Sequence, residues 1–166
     1  MTYSLPMRTA LLIAIISASP ALACSPSLHE RLDQPLRETA DDTFDVSEVQ
    51  SVEGGEWKVW QRPDGSGAEE VVRIDYGEMA RLETRLVIDG PDDYAITQAR
   101  YLYSVPMYLE GSTVVRIETD IYMYCDGALV LPSEDFGVFP DYVAKADEAA
   151  ATFRAEEIAE DVPPGL

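Results

Sequence analysis

A chain of 166 residues with 31 acidic and only 12 basic side chains carries a formal net charge of -19. That excess argues against nucleic acid, whose phosphates need Lys and Arg to neutralise them, and against adhesion to anionic lipid headgroups. It suits solubility in a salty medium, or an acidic face that captures a basic partner.

The first residues differ from all that follow. Arg8 is the one charge before His29, and Ala10 to Ile16 is an unbroken apolar run. Pro20 and then Ala21-Leu22-Ala23 complete the three parts of a secretory signal, a positive end, a short apolar centre and a small-x-small cleavage site. The run falls short of the ~20 residues that a spanning helix needs, and no later stretch is apolar enough to span. Met7-Arg8 makes a more ordinary start than Met1-Thr2. Residues 1-23 are read as the signal and 24-166 as one globular domain, periplasmic or secreted.

Cys24 and Cys125 are the two cysteines of the chain. An even count and a clean Ala-x-Ala site favour a disulfide formed in an oxidising compartment. The alternative is Cys24 as the lipid-bearing first residue of an envelope lipoprotein, which a preceding small residue permits. Neither cysteine has a local His to make it a catalytic thiol.

Within the domain, residues 24-40 read as a helix. Pro26 suits a first turn, Ser27 and Glu30 fit a capping box, and Leu28, Leu32 and Leu36 recur every four residues. From Thr43 the period falls to two. Phe44 and Val46 alternate with polar residues, and Glu53-Gly54-Gly55-Glu56 reads as a tight hairpin turn. Strands follow around Trp57-Trp60, Val72-Tyr76, Leu82-Ile88 and Tyr94-Val105, separated by turns at Pro63-Asp64-Gly65-Ser66-Gly67 and at Asp89 to Asp93. The run Thr113 to Cys125 places Val115, Ile117, Ile121, Met123 and Cys125 on its apolar face. Arg116, Glu118, Asp120, Tyr122 and Tyr124 then take the polar one. Asp126-Gly127 turns the chain into Ala128-Leu131. Tyr142, Ala146, Ala149 and Phe153 mark a second helix over 141-161. The expected fold class is α+β: one curved antiparallel meander of about seven strands over 43-131, its apolar side packed by the N- and C-terminal helices.

The runs Glu53-Gly54-Gly55-Glu56, Ile74-Asp75-Tyr76-Gly77-Glu78 and Tyr122-Met123-Tyr124-Cys125-Asp126-Gly127-Ala128-Leu129 resemble those of a set of uncharacterised secreted bacterial proteins. The likeness spans roughly residues 50-131. It implies an antiparallel-sheet module without an assigned activity, and it transfers no site.

Candidate chemistry is sparse. Arg73, Arg81, Arg85, Arg100 and Arg116 fall in the strands, either as an anion-binding surface or in cross-strand pairs with Asp75, Glu83, Glu118 and Asp120. Trp60, Tyr122 and Tyr124 fall on strand sides that are otherwise polar. With Arg116 they are the ligand-binding candidates, an aromatic strip for a sugar, a peptide or a protein. The competing reading is that the segment from Leu131 to Pro140 half covers them. No acidic run has the alternation of a calcium loop, His29 has no assigned nucleophile, and no catalytic, metal or cofactor residue is assigned. The expected function is a non-enzymatic periplasmic binding module for a protein, peptide or small molecule. The alternatives are a small hydrolase with a carboxylate pair and a lipid-anchored protein.

Overall fold

The computed structural model describes residues 24-45, 53-131 and 140-154. Seven strands form one open antiparallel sheet in strict chain order. They are β1 (Asp42–Asp45), β2 (Gly55–Gln61), β3 (Ala68–Tyr76), β4 (Ala80–Ile88), β5 (Tyr94–Tyr103), β6 (Val114–Cys125) and β7 (Ala128–Leu129). Two helices flank them, α1 (Pro26–Leu32) and α2 (Pro140–Arg154). The fold is thus α+β with a seven-stranded meander. Residues 1-23, 46-52, 132-139 and 155-166 lie outside the described residues, and with them the signal, Val46 and the end of the 141-161 helix.

Turn chemistry sets the connections. Asp126 and Gly127, at φ 51° and 73°, make the two-residue turn whose twist matches an antiparallel hairpin. Between β2 and β3, Arg62 N–H donates to Gly67 O at 2.9 Å and Ser66 N–H to the Asp64 carboxylate at 2.9 Å. After β4, Asp89 and Gly90 both donate to Asp93 O. The two Asp-Gly turns dock on each other: Gly127 N–H reaches Asp92 O at 2.9 Å, and Asp126 N–H reaches Asp93 Oδ1 at 3.1 Å. The Glu53-Gly54-Gly55-Glu56 run does not close a tight hairpin. Asp45 pairs with Glu56, so Gly55 and Glu56 already belong to β2.

Both faces of the sheet are buried at one end, a correction to the expectation of one dry and one wet side. One cross-strand row runs Val59, Val71, Leu86, Ile96, Tyr122, each the register partner of the last. Helix α2 covers that row with Tyr142, Ala146, Ala149, Ala150 and Phe153, the Phe153 ring standing edge-on to Trp57 at 5.7 Å. The opposite face carries the row Trp60, Glu70, Val87, Ala95, Met123. There Leu28 of α1 packs on Val87 and Ala95, while Leu36 and Ala40 pack on Trp60, Val72 and Ile74. The helices therefore sit on opposite faces rather than together on one.

Helix α1 is shorter than its leucine spacing implied, ending at Leu32. Its cap is Ser25 without a side-chain bond, and Ser27, the expected cap, donates instead to Asp89 Oδ2 at 2.7 Å. Arginines bind this layer to the sheet. Arg31 donates to Ile88 O at 2.7 Å and to Glu69 O at 2.8 Å. Arg85 holds the buried Glu70 carboxylate together with Arg31 O and Gln34 O.

A disulfide joins Cys24 to Cys125 across a sequence separation of 101, with Cα atoms 4.9 Å apart. It ties the start of α1 to the end of β6. A loop of that length constrains the unfolded chain by about 4 to 5 kcal/mol in the chain-entropy model. The Cys24→Ser, Cys125→Ser double variant should lose stability of that order in a urea titration. A loss below about 1 kcal/mol would show that the crosslink does not govern this fold.

Candidate functional site

Strand β6 is 12 residues long, and the helices reach only its C-terminal end. Its first eight residues, with the matching ends of β4 and β5, form a corner that neither helix buries. A register shift between Leu102 and Tyr103, against Val114 and Arg116, marks the outer limit of the β5–β6 ladder. The two faces of this corner differ in chemistry.

On the α2 side lies an open cleft of about 420 Å³, lined by Asp75, Gln98, Arg100, Glu118, Asp120 and Lys145 among others. Its carboxylates are each neutralised. Arg73 grips Asp75 with both Nε and a terminal nitrogen at 2.8 Å, Arg116 meets Glu118 at 2.9 Å, and Lys145 stands 3.9 Å from Asp120. The pairs Arg73–Asp75, Arg81–Glu83 and Arg116–Glu118 form along one strand, two residues apart, and Arg85 reaches Glu70 on the adjacent strand. The acidic partners read from the sequence for Arg73, Arg81 and Arg116 are the ones engaged, but not in direct cross-strand pairs. Glu70, whose carboxyl burial lifts above its ordinary pKa against the pull of Arg85, lies on the opposite face, away from this cleft. His29 is exposed on α1, near Ser25 O. Among the described residues no three His, Cys, Asp or Glu gather as a metal ion requires.

On the α1 side the corner exposes apolar side chains of β6, with Thr119 between two of them and the Arg81–Glu83 pair on β4. Val115, Ile117 and Ile121 are 63%, 55% and 50% exposed. Beside them on β5, Tyr101 lies under the Arg81 guanidinium at 4.2 Å, a cation–π contact that holds the ring flat. These three side chains were expected in the core, and the structure reverses that. The physical reason is extent, not periodicity: alternation fixes which residues share a face but not how far a helix covers it.

The aromatic candidates move the other way. Trp60, Tyr122 and Tyr124 are 2%, 0% and 5% exposed, so they form no surface strip. Tyr124 stacks on Tyr94 at 4.5 Å, and Tyr122 packs against Tyr142 at 5.2 Å. Burial, with Asp120 nearby, pushes the Tyr122 hydroxyl up to about 12. Arg116 alone of the four candidates is on the surface.

One sequence signal did point to the bare edge. The strand after Asp126-Gly127 meets Pro132 within a few residues, too soon for a hairpin partner as long as β6. Accordingly β7 pairs only with Tyr124 and Cys125.

The reversal can be checked by stability. Tyr122→Ala should cost about 3 to 5 kcal/mol, as for a large core ring. Tyr122→Phe should cost under about 0.5 kcal/mol, because the hydroxyl has no partner among the described residues. Equal and small effects from both would return this ring to the surface.

Compared with known proteins, the chain matches no family model, no curated protein and no solved structure.

Proposed function

We propose that the protein is exported and works, without catalysis, as a binding module whose partner sits on the bare corner of the sheet. The observation that carries this reading is the exposure of Val115, Ile117 and Ile121 on one strand, next to Tyr101. Clustered apolar side chains left in water on an ordered sheet mark interaction sites. Export draws support from the pattern of residues 1-23 and from the Cys24–Cys125 disulfide, whose chemistry belongs to oxidising compartments. A carboxylate-pair hydrolase is less favoured, since Asp75, Glu118 and Asp120 in the cleft each face a cation. A lipid anchor would need the Cys24 sulfur that the disulfide occupies. Among the described residues no helix is long and apolar enough to cross a membrane.

Export and anchoring are tested by intact mass without reductant. The exported chain should begin at Cys24 and gain two hydrogens on reduction; acyl chains on Cys24 would replace this reading with the anchored one. Binding is tested in cells by a photo-crosslinking residue at position 117. Adducts heavier than the chain should form and should fade with Ile121→Lys, whose thermal midpoint stays near that of the unsubstituted protein. Adducts indifferent to Ile121→Lys, or none at all, would remove the bare corner as the binding site.

A further inference from the structure

We propose that β6 takes an extended partner segment of alternating apolar and basic residues along its outer edge, which adds a strand to the sheet. This inference rests on the reading that the bare corner is the binding site.

The ladder fixes which backbone groups face outward. Met123 O accepts Val130 N–H at 2.8 Å and Ile121 O accepts the Tyr142 hydroxyl at 3.0 Å, both on the side away from β5. Alternate residues of a strand direct their N–H and C=O to the same side, so Ile117 and Thr119 also face outward while Glu118 and Asp120 face β5. Among the described residues no strand lies beside β6 before Tyr124. Among the described residues, the Ile117 and Thr119 amide and carbonyl groups and the Ile121 amide therefore have no ladder partner on the outer side of β6, the geometry of strand addition.

The side chains flanking that edge name the partner. A strand paired there would lay alternate residues beside Ile117, Thr119 and Ile121 on the α1 side, where apolar groups fit. Its intervening residues would lie beside Glu118 and Asp120, which engage Arg116 at 2.9 Å and Lys145 at 3.9 Å. Those exposed pairs are weak, and with a net charge of -19 on the chain basic residues remain the complement. A second copy is disfavoured by the same charge.

The test uses the chain from Cys24 onward and an acetylated octapeptide of alternating Lys and Ile, titrated by calorimetry. Controls are the same composition in two blocks and a version with Glu for Lys. The alternating peptide should bind, weaken as salt rises, and bind at least about tenfold more tightly than either control. On binding, hydrogen exchange should slow at Ile117 and Thr119 and stay unchanged at Glu118 and Asp120. Thr119→Pro removes an outward amide that the sheet does not use, and should weaken binding at least about tenfold. Should that variant misfold, N-methylating the peptide's edge-facing amides makes the same deletion without touching the protein.

Amides of Ile117 and Thr119 already protected in the free monomer would mean that the chain's own residues 132-139 fill the edge, and would overturn the proposal. Protection that grows with protein concentration, alongside a doubled mass, would assign the edge to a second copy. Equal binding of the blocked peptide would reduce the effect to bulk charge. If no peptide binds while Ile121→Lys still abolishes crosslinking from position 117, strand addition is refuted and the corner remains the site. If crosslinking fails as well, the site itself is lost.

Discussion

The structure depends on how its helices lie on the sheet. A 12-residue strand extends about 40 Å, whereas α2 crosses the strands, from Tyr142 against Tyr122 of β6 to Phe153 against Trp57 of β2, and covers a band only about 10 Å wide. Two helices on opposite faces, each over one end, do not cover a strand of that reach. They bury one end twice over, through the rows that end at Tyr122 and Met123, and leave the other end bare. Buried and exposed residues are thus divided along the same strand. Residues Tyr122 to Cys125 belong to the core and the disulfide, and Val115 to Ile121 belong to the surface.

The same division explains what could be read from the residues and what could not. Alternation with a period of two located every strand, and the Asp-Gly and Pro-Asp-Gly runs located the reversals, because both signals are local. The stripe Tyr142, Ala146, Ala149, Phe153 was legible for the same reason, and the cysteine pair because two cysteines behind an export-signal pattern allow one pairing. The burial of β6 was not. Ile117 and Tyr122 lie on opposite faces and at opposite ends, and hydropathy ranks the isoleucine inward on both counts. Burial depends on which stretch each helix covers, α2 on the Tyr122 face and α1 on the Ile117 face, a tertiary fact that no window of β6 contains. Tyrosine misled further, since its ring fills a core as well as phenylalanine does while its hydroxyl makes the strand look half polar.

Charge shows a related economy. The protein has few cations for its acids, and within the described residues the arginines Arg31, Arg62 and Arg85 reach backbone carbonyls of other segments. A planar fork with five donors can satisfy a carbonyl and a carboxylate at once, as Arg85 does with Arg31 O and Glu70. Arg31 and Arg85 fasten α1 and the segment after it to the sheet, and Arg62 ties the β2–β3 turn to the end of β4. Most of the remaining acids face water, so the long-range field of the molecule is negative, and any partner meets that field before it meets the isoleucines.

The two edges of the sheet show how the bare corner differs from ordinary surface. Edge strands are commonly blunted by shortness, charge, proline or a bulge. β1 has charge, with Asp at each end of its four described residues. β6 has a register shift only at its far limit, beside Val114, and then presents Ile117, Thr119 and Ile121 with their outward amides in an unbroken run. An unprotected run of that kind would invite indiscriminate pairing in a neutral protein. Here the charge of the whole chain, -19, opposes pairing with other copies and other acidic strands. Under the strand-addition proposal, discrimination at this edge is electrostatic, and the backbone ladder would hold a strand once admitted.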